Sequence, residues 1–405
     1  MKEAYAPEGF QQQNCSRTTP SGAAFFSAPL SPLPLRRCKT ERASRAGKFS
    51  FLSRAGWRRK ITLVMIKVAI VGANGYSGEE LCAILARHPS AEVVAVTSRQ
   101  HAGKRLGDVL PRLSGRTALS SLTFFSPSPD ALLATGAEFF FLALPHGLAA
   151  EFAAPLCGAG RRVVDLSADF RLRDAEVYKE FYGEAHGAEH LLKSAVYGLP
   201  ELHRDEIRMA SLVASAGCYP TSILLPLVPL LKRGLIAPGD ILVSSASGVS
   251  GAGRKAELLY GECNESLRAY GIPKHRHLSE IEQELALAAG GKVAITFVPH
   301  LAPMTRGIHS TIFARLADRT SPEEILPALV AAYADEPFVR VRQALPDTKN
   351  VSGTNFCDIS ARYDERTRRV ILLSAEDNLV KGAAGQAVQN FNLMAGLDEV
   401  EGLFL

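Results

Sequence analysis

A glycine-rich turn between an apolar strand and a helix restricts the fold of this chain more than any other feature. Ile66–Ala73 is apolar almost throughout, as expected for a strand buried on both faces of a parallel sheet. Ser77–His88 has the spacing of an amphipathic helix, with Ser77 as its predicted cap. Glycines in such a turn let the backbone approach a pyrophosphate, whose charge then meets the helix N-terminus.

This turn predicts a dinucleotide-binding site, with a purely structural turn as the alternative. Its spacing is GxxGxxG, a variant of the usual GxGxxG pattern, so the strand–turn–helix context carries most of the argument. The predicted cofactor contacts in the turn are Gly72, Asn74, Gly75, Tyr76, Ser77 and Gly78.

The end of the second predicted strand indicates which dinucleotide is bound. An NAD enzyme usually carries an acidic residue there, on the ribose hydroxyls. This chain has Ser98 and Arg99 instead, and a hydroxyl with a guanidinium suits a 2′-phosphate. We therefore predict NADP(H) as the cofactor; the alternative is that Arg99 is only a solvated loop residue.

The connections between strand-like segments differ between the two halves of the chain. In the first half they alternate with helices, which is typical of a parallel, doubly wound sheet; they are Glu92–Ser98, Glu138–Pro145, Arg161–Ser167 and Ser211–Ala216. After Gly217 fewer helices separate them, which favours a mixed or antiparallel sheet; they are Ile241–Ser247, Lys292–His300, His309–Leu316, Phe356–Tyr363 and Arg369–Ala375.

These two patterns of strands and helices predict an α/β Rossmann-type domain followed by an α+β domain. We place the NADP-binding domain at residues 65–216 and expect a C-terminal helix within 376–405, at Gly382–Met394, to complete it. The catalytic and oligomerisation domain is predicted at 217–375.

Residues 1–64 differ from the rest in composition. They carry 12 Lys/Arg and 3 Asp/Glu, a net charge of +9, so the rest of the +5 chain has a net charge of −4. This segment is predicted to be disordered. An organelle transit peptide is one interpretation; we favour a non-native extension ahead of a start at Met65, with a cytoplasmic protein. The mildly acidic remainder argues against a nucleic-acid partner, and no apolar run reaches the roughly 18 residues of a membrane span.

The seven cysteines are scattered, odd in number and free of CxxC pairs. This pattern argues against a disulfide framework or a structural metal site and indicates a reducing compartment.

Cys218 is the predicted nucleophile. A strand ends just before it and an apolar helix begins near Pro220, so the sulfur is expected at a helix N-terminus, where the dipole lowers a thiol's pKa. An inert, buried cysteine is the alternative. Pro226 and Pro229 predict a helix that is kinked or short.

A cluster of basic residues offers a proton carrier for this thiol. His275 and His277 lie among Lys274 and Arg276, and histidine is the side chain best suited to moving a proton near neutral pH. The cations are suited to an anionic substrate. A solvated surface turn is the alternative.

Seven ordered motifs from Ile66 to the C-terminus resemble the N-acetyl-gamma-glutamyl-phosphate reductase family of arginine biosynthesis. They are Gly72–Leu81, Ser167–Leu172, Tyr197–Glu201, Gly217–Thr221, Ser247–Arg254, His275–Ile281 and Lys381–Asn390. The resemblance implies reduction of N-acetyl-γ-glutamyl phosphate by NADPH to the 5-semialdehyde and phosphate, through a Cys218 thioester. It also implies a homo-oligomer, a dimer or tetramer.

The resemblance implies roles for further residues. An imidazole of His277, or else of His275, protonates the substrate oxygen. Candidate substrate contacts are Ser167, Arg171, Arg254 and Lys274; candidate cofactor contacts are Gly248, Ser250, Gly251 and Asn378. Each has a structural alternative, such as a local ion pair at Arg171 or a helix cap at Asn378.

Two departures from the family's pattern leave the substrate open. Ser215 and Ala216 replace an Asn-Pro pair before the glycine and cysteine, and Ser279 replaces a proline. The alternatives are a carrier-protein-linked analogue in lysine synthesis, aspartate-semialdehyde dehydrogenase, and, from another class, an NADP-sensing regulator. A papain-like protease is a weaker candidate because it does not need the glycine turn.

Overall fold

Two β-sheets organise residues 65–115, 117–254 and 259–404, the part of the chain that the computed structural model describes. The first sheet has six strands in the order β2–β1–β3–β4–β6–β5, all paired in parallel. Their bounds are β1 Ile66–Val71, β2 Ala91–Thr97, β3 Phe139–Leu142, β4 Arg162–Asp165, β5 Val196–Gly198 and β6 Leu212–Ser215. The prediction for residues 1–64 lies outside the described residues.

Helices connect these strands as in a doubly wound sheet. Their bounds are α1 Tyr76–Leu85, α2 Leu106–Val109, α3 Pro129–Leu133, α4 Ala150–Gly158, α5 Ala175–Tyr182, α6 Glu189–Leu192 and α7 Pro200–Met209. The strand order reverses where β1 lies between β2 and β3. In open α/β sheets, ligands bind outside the carboxyl ends of the strands at such a reversal.

The second sheet is mixed and has the order β11–β12–β13–β10–β7–β9–β8. Its strands are β7 Ile241–Gly248, β8 Arg268–Ala269, β9 Ile295–Ala302, β10 Ile308–Arg315, β11 Val339–Val341, β12 Cys357–Asp364 and β13 Arg369–Glu376. The helices of this half are α8 Cys218–Lys232, α9 Tyr260–Cys263, α10 His277–Ala289, α11 Ile325–Ala332 and α12 Thr348–Val351. The predicted fold class, a parallel α/β sheet with a second mixed-sheet α+β part, is confirmed. The domain boundaries remain a prediction.

The start of α1 differs from the prediction. Gly75 occupies the N-cap position with an extended backbone, and no side chain caps the helix, so Ser77 lies inside the first turn. The uncapped amide groups of this turn remain available to a ligand, because the first amides of a helix have no partner within it.

Helix α8 is continuous in spite of Pro226 and Pro229. A proline within a helix leaves the carbonyl four residues earlier without its usual donor. The hydroxyl of Ser374 donates to the carbonyl of Ser222 at 2.6 Å, and that of Tyr333 donates to the carbonyl of Leu225 at 2.5 Å. Both freed carbonyls are thus satisfied, so the short helix predicted from the prolines was wrong, and a kink stays a prediction.

The last helix, α13 Gly385–Ala395, follows a π-helical turn at Val380–Ala384 and returns to the first sheet. Phe391 is fully buried, and its ring contacts that of Phe139 in β3 with 4.9 Å between centroids. None of the helices in the described ranges has the length and apolar character needed to span a bilayer.

Candidate active site

Cys218 is the first residue of α8, directly after β6, with Gly217 as the N-cap residue. The helix therefore begins two residues before the predicted position. Its first turn still places Cys218 at a helix N-terminus, at the carboxyl edge of the first sheet.

Three side chains from distant segments meet at Gly217. A Cβ atom built on this glycine would lie 2.8 Å from Nη1 of Arg171, 2.9 Å from Nε2 of His277 and 3.1 Å from Oε2 of Glu280. No larger residue fits without moving them. The absent side chain therefore lets a guanidinium, an imidazole and a carboxylate reach the backbone beside Cys218.

Glu280 links these groups to the nucleophile's backbone. Its Oε1 accepts hydrogen bonds from the Gly217 N–H at 2.8 Å and from the Tyr197 hydroxyl at 2.7 Å, while Oε2 accepts from Arg171 at 3.3 Å. Both charged partners are almost fully buried. The sequence alone indicated no role for Glu280 or Tyr197, although they lie within the motifs His275–Ile281 and Tyr197–Glu201. The available signal was a carboxylate three residues after His277.

The two histidines differ in what they face. Nε2 of His277 points to Gly217, and its Nδ1 has no hydrogen-bond partner among the described residues. His275 packs its ring 5.5 Å from Phe297 and accepts the His277 backbone N–H at 3.1 Å. Burial lowers the pKa of His277 well below its usual value and that of His275 to about 4. The resting imidazole of His277 is therefore neutral and suited to accept a proton.

The protonation state of Cys218 differs from the expectation. Burial, with a further contribution from Glu376, raises the pKa of its thiol to about 12, while Arg171 opposes the rise. The thiolate expected at the helix N-terminus is therefore not the resting form. A thiol beside a neutral imidazole becomes a nucleophile when the imidazole takes its proton.

The glycine-rich turn has the shape that a pyrophosphate needs. Gly72 has φ +87°, and a Cβ atom there would lie 2.4 Å from the carbonyl oxygen of Ala143, at the end of β3. A Cβ atom at Gly78 would lie 2.5 Å from the carbonyl oxygen of Gly72. At Gly75 it would meet only that oxygen, at 3.7 Å, so this side of the turn is open. These residues fit a dinucleotide at the strand-order reversal.

The other predicted residues of the dinucleotide site have varied surroundings. Asn74, Tyr76 and Ser77 are half-buried in the turn. Ser98 is buried and accepts the His101 N–H at 3.2 Å, whereas Arg99 is exposed and pairs with Glu151 at 2.9 Å.

Asn378 joins two loops of the second sheet. Its side chain accepts the Gly307 N–H at 2.7 Å and donates to the Ser250 hydroxyl at 2.9 Å. Gly248 and Gly251 are packed tightly. A Cβ atom at Gly248 would lie 2.7 Å from the backbone nitrogen of Arg306, and one at Gly251 would lie 2.8 Å from the Ser247 hydroxyl. These contacts shape the loop, and a cofactor contact remains a prediction.

The structure brings Arg171, but not every predicted substrate residue, to the nucleophile. Ser167 donates its hydroxyl to Asp165 at 2.8 Å within a local turn. Arg254 stacks over the Tyr76 ring at 4.7 Å and pairs with Glu79, which places it beside the dinucleotide turn. Lys274 pairs with the exposed Glu180 at 2.8 Å.

Two protein-family matches show the class of protein to which this fold and site belong. Residues 67–210 match the family described as semialdehyde dehydrogenase, NAD binding domain, and residues 218–378 match semialdehyde dehydrogenase, dimerisation domain. The first match confirms the prediction of a nicotinamide dinucleotide cofactor, and together they confirm an oxidoreductase.

Closer relatives narrow that class. An N-acetyl-gamma-glutamyl-phosphate reductase of Akkermansia muciniphila is 56% identical over 84% of this chain and 99% of its own. One of Pelotomaculum thermopropionicum is 51% identical over 84% of this chain and 97% of its own. The chain belongs to the N-acetyl-gamma-glutamyl-phosphate reductase family, which confirms the resemblance drawn from the motifs.

Solved structures share the fold at low sequence identity. Aspartate semialdehyde dehydrogenase II of Vibrio cholerae, complexed with ASA, aligns with a TM-score of 0.62 and 16% identity, over 82% of this chain and 98% of that one. The aspartate semialdehyde dehydrogenase of Candida albicans, with NADP, also gives a TM-score of 0.62, at 15% identity over the same shares. Both likenesses concern the fold alone.

Proposed function

We propose that this protein reduces N-acetyl-γ-glutamyl phosphate with NADPH to N-acetylglutamate 5-semialdehyde and phosphate, as a step of arginine biosynthesis. The observation that carries the proposal is the meeting of Cys218, His277 and Arg171 around Gly217 in a chain of this family. A thiol, a neutral base and a cation in one place suit attack on an anionic acyl phosphate.

The first half of the reaction forms a thioester. His277 Nε2 accepts the proton of Cys218, the sulfur attacks the acyl carbon, and the carbon–oxygen bond to phosphate breaks with its electrons leaving on phosphate. Arg171 holds the anionic part of the substrate beside the sulfur.

The second half releases the aldehyde. The turn at Gly72–Gly78 would hold NADPH, which would supply the hydride that reduces the thioester carbon. His277, now protonated, stabilises the oxygen of the resulting thiohemiacetal. As the carbon–sulfur bond breaks, the aldehyde leaves and the sulfur takes back the proton from His277.

Trapping the acyl group on the protein tests this function. Incubation with N-acetyl-γ-glutamyl phosphate without NADPH is expected to add one N-acetylglutamyl group, located at Cys218 by peptide mass spectrometry. Cys218→Ser should gain no group and lose at least about 10³-fold in kcat, since nucleophile removal costs that much or more. Full activity of Cys218→Ser contradicts the proposal, and turnover of aspartyl phosphate in preference to the acetylated substrate favours the related dehydrogenase.

We also propose a homodimer formed through the open face of the second sheet, with a tetramer as the alternative. The match to a dimerisation domain supports association of two copies. On neighbouring strands β7 and β10, the outward positions Leu242, Ala246 and Phe313 remain partly exposed. Sedimentation equilibrium of the wild type and of Phe313→Lys tests this: a dimer that the lysine variant converts to monomer supports it.

We place the protein in the cytoplasm, with an organelle as the alternative. The five cysteines within the described ranges are free, and Cys218 has to stay reduced to act. N-terminal sequencing of the native protein tests whether residues 1–64 are present.

A further inference from the structure

A buried carboxyl group lies close to the nucleophile, and the proposed reaction does not use it. Glu376 is the last residue of β13 and is fully buried. Neither of its carboxyl oxygens has a hydrogen-bond partner among the described residues. Burial raises the pKa of this carboxyl group well above its usual value, because an unpaired carboxylate is costly to bury, and Lys381 opposes the rise.

The register of β13 brings Glu376 under the first turn of α8. Ser374 and Glu376 share the inward face of the strand, because side chains two residues apart lie on one face. Ser374 donates to the carbonyl of Ser222 in α8. The two residues from Ser374 to Glu376 advance along the strand by about the length of one helical turn, and one turn of α8 separates Ser222 from Cys218.

Gly382 shows how close the two groups are. A Cβ atom built on this glycine would lie 2.7 Å from Cβ of Cys218 and 2.8 Å from Oε1 of Glu376. The π-helical turn at Val380–Ala384 thus brings a residue without a side chain between nucleophile and carboxyl. Only a glycine permits this approach.

Among the described residues around Glu376, the cation is already paired with other groups. Titratable groups from five elements influence or adjoin it: Lys381, Glu201, Asp377, Cys357 and Cys218. Lys381 is the one cation in this set, and it already donates to Glu201 at 2.6 Å and Gln389 at 2.9 Å. Once this carboxyl has ionised, a second negative charge on the sulfur would be opposed by the first, and the cation that favours it, Arg171, already pairs with Glu280.

We propose that Glu376 is a positioning residue for Cys218. Its carboxyl group keeps the sulfur of Cys218 in the thiol form while the protein has no substrate. Carboxyl and thiol titrate as a coupled pair, in which the carboxyl ionises first and its charge then opposes a second charge on the sulfur. Since the thiolate is the form that oxidants attack, this arrangement protects the resting protein. The inference rests on the proposed function only for the role of Cys218.

Alkylation of the ligand-free protein tests this coupling without turnover. The rate of iodoacetamide addition to Cys218, followed by peptide mass spectrometry from pH 6 to 10, reports thiolate formation. The wild type should show an apparent pKa above the ordinary value of about 8.5. Glu376→Gln, which keeps the shape and cannot ionise, should react about tenfold faster at the alkaline end of this range, where the wild-type carboxyl is expected to be ionised, because a neighbouring charge shifts a pKa by about one unit or more.

Matched variants separate charge from packing. Glu376→Asp keeps the charge and should react at the wild-type rate, as should Glu92→Gln, which changes an exposed residue of β2. Equal rates for wild type and Glu376→Gln overturn the proposal, and so does a Glu376→Asp protein as fast as Glu376→Gln. A wild-type apparent pKa at or below about 8.5 also overturns it, even if the glutamine variant fails to fold.

Failure of this inference is distinguishable from failure of the proposed function. An inactive Cys218→Ser with unchanged alkylation in Glu376→Gln refutes only the role of Glu376. An active Cys218→Ser refutes the thioester reaction, while the alkylation profiles still decide whether Glu376 controls the thiol.

Discussion

The carboxylate of Glu280 accepts a hydrogen bond of 2.8 Å from the backbone N–H of Gly217, the residue before the nucleophile. A side chain of α10 therefore fixes the start of α8. The same carboxylate pairs with Arg171, so the position of the sulfur and that of the cation depend on one buried group.

Glu280→Gln should destabilise the protein by about 3 kcal/mol, because it leaves the buried Arg171 without its counter-charge. Glu180→Gln is the matched control, since Glu180 pairs with Lys274 at an exposed site, where the expected loss is below about 1 kcal/mol. Urea unfolding at pH 7 measures both free energies. Equal losses for the two variants contradict the central position of Glu280.

Gly75→Ala should weaken NADPH binding without changing stability. The ligand-free turn has room for a methyl group at this position, since its nearest neighbour would be 3.7 Å away, but a pyrophosphate approaching the backbone would meet it. Fluorescence titration with NADPH and thermal unfolding measure the two effects; about tenfold weaker binding with an unchanged Tm is expected, from a loss of about 1.4 kcal/mol. Unchanged affinity indicates that the dinucleotide does not use this turn.

Arg99→Ala should reduce the preference for NADPH over NADH. If Arg99 binds the 2′-phosphate, its loss should raise KM for NADPH about tenfold or more and leave KM for NADH nearly unchanged, since a charge-assisted contact contributes about 1.5–3 kcal/mol. Glu151→Gln is the control: it frees Arg99 from its ion pair and should keep or improve NADPH binding. If Arg99→Ala changes KM for NADPH and for NADH equally, Arg99 is only a surface residue and does not bind the 2′-phosphate.

The protein should lose stability as the pH falls from 7 to 5, and His275 should contribute to this loss. Its folded pKa of about 4 lies below the unfolded value of about 6.5, so the unfolded chain binds more protons in this interval and stability rises with pH. At pH 5 the contribution is about 2 kcal/mol. Urea unfolding at both pH values should therefore show a smaller pH dependence in His275→Gln than in wild type; an unchanged dependence contradicts this.

The sequence was sufficient to predict the architecture because its signals are local. Apolar runs bounded by turns located β1, β2 and most strands of the second sheet to within a few residues. The longer predicted strand at Glu138–Pro145 ends at Leu142 because the next residues leave the ladder and approach Gly72. The ends of elements depend on such contacts, which no local pattern contains.

The site was predicted less completely than the fold. The motifs singled out Cys218, His277 and Arg171, which the structure brings together around Gly217, whereas Glu280 and Glu376 are brought there by contacts between segments far apart in the chain. The helix position of Cys218 predicted a lowered thiol pKa, whereas burial, with Glu376, raises that pKa. A local pattern reveals the dipole, whereas only the assembled structure reveals the desolvation.

The return of α13 to the first sheet has a consequence for biosynthesis of the protein. Phe391 fills the core beside Phe139, and Arg162 donates to the carbonyl of Met394, so strands made early remain without their final cover until α13 leaves the ribosome. The nucleotide-binding half thus cannot mature during translation as an independent N-terminal unit would.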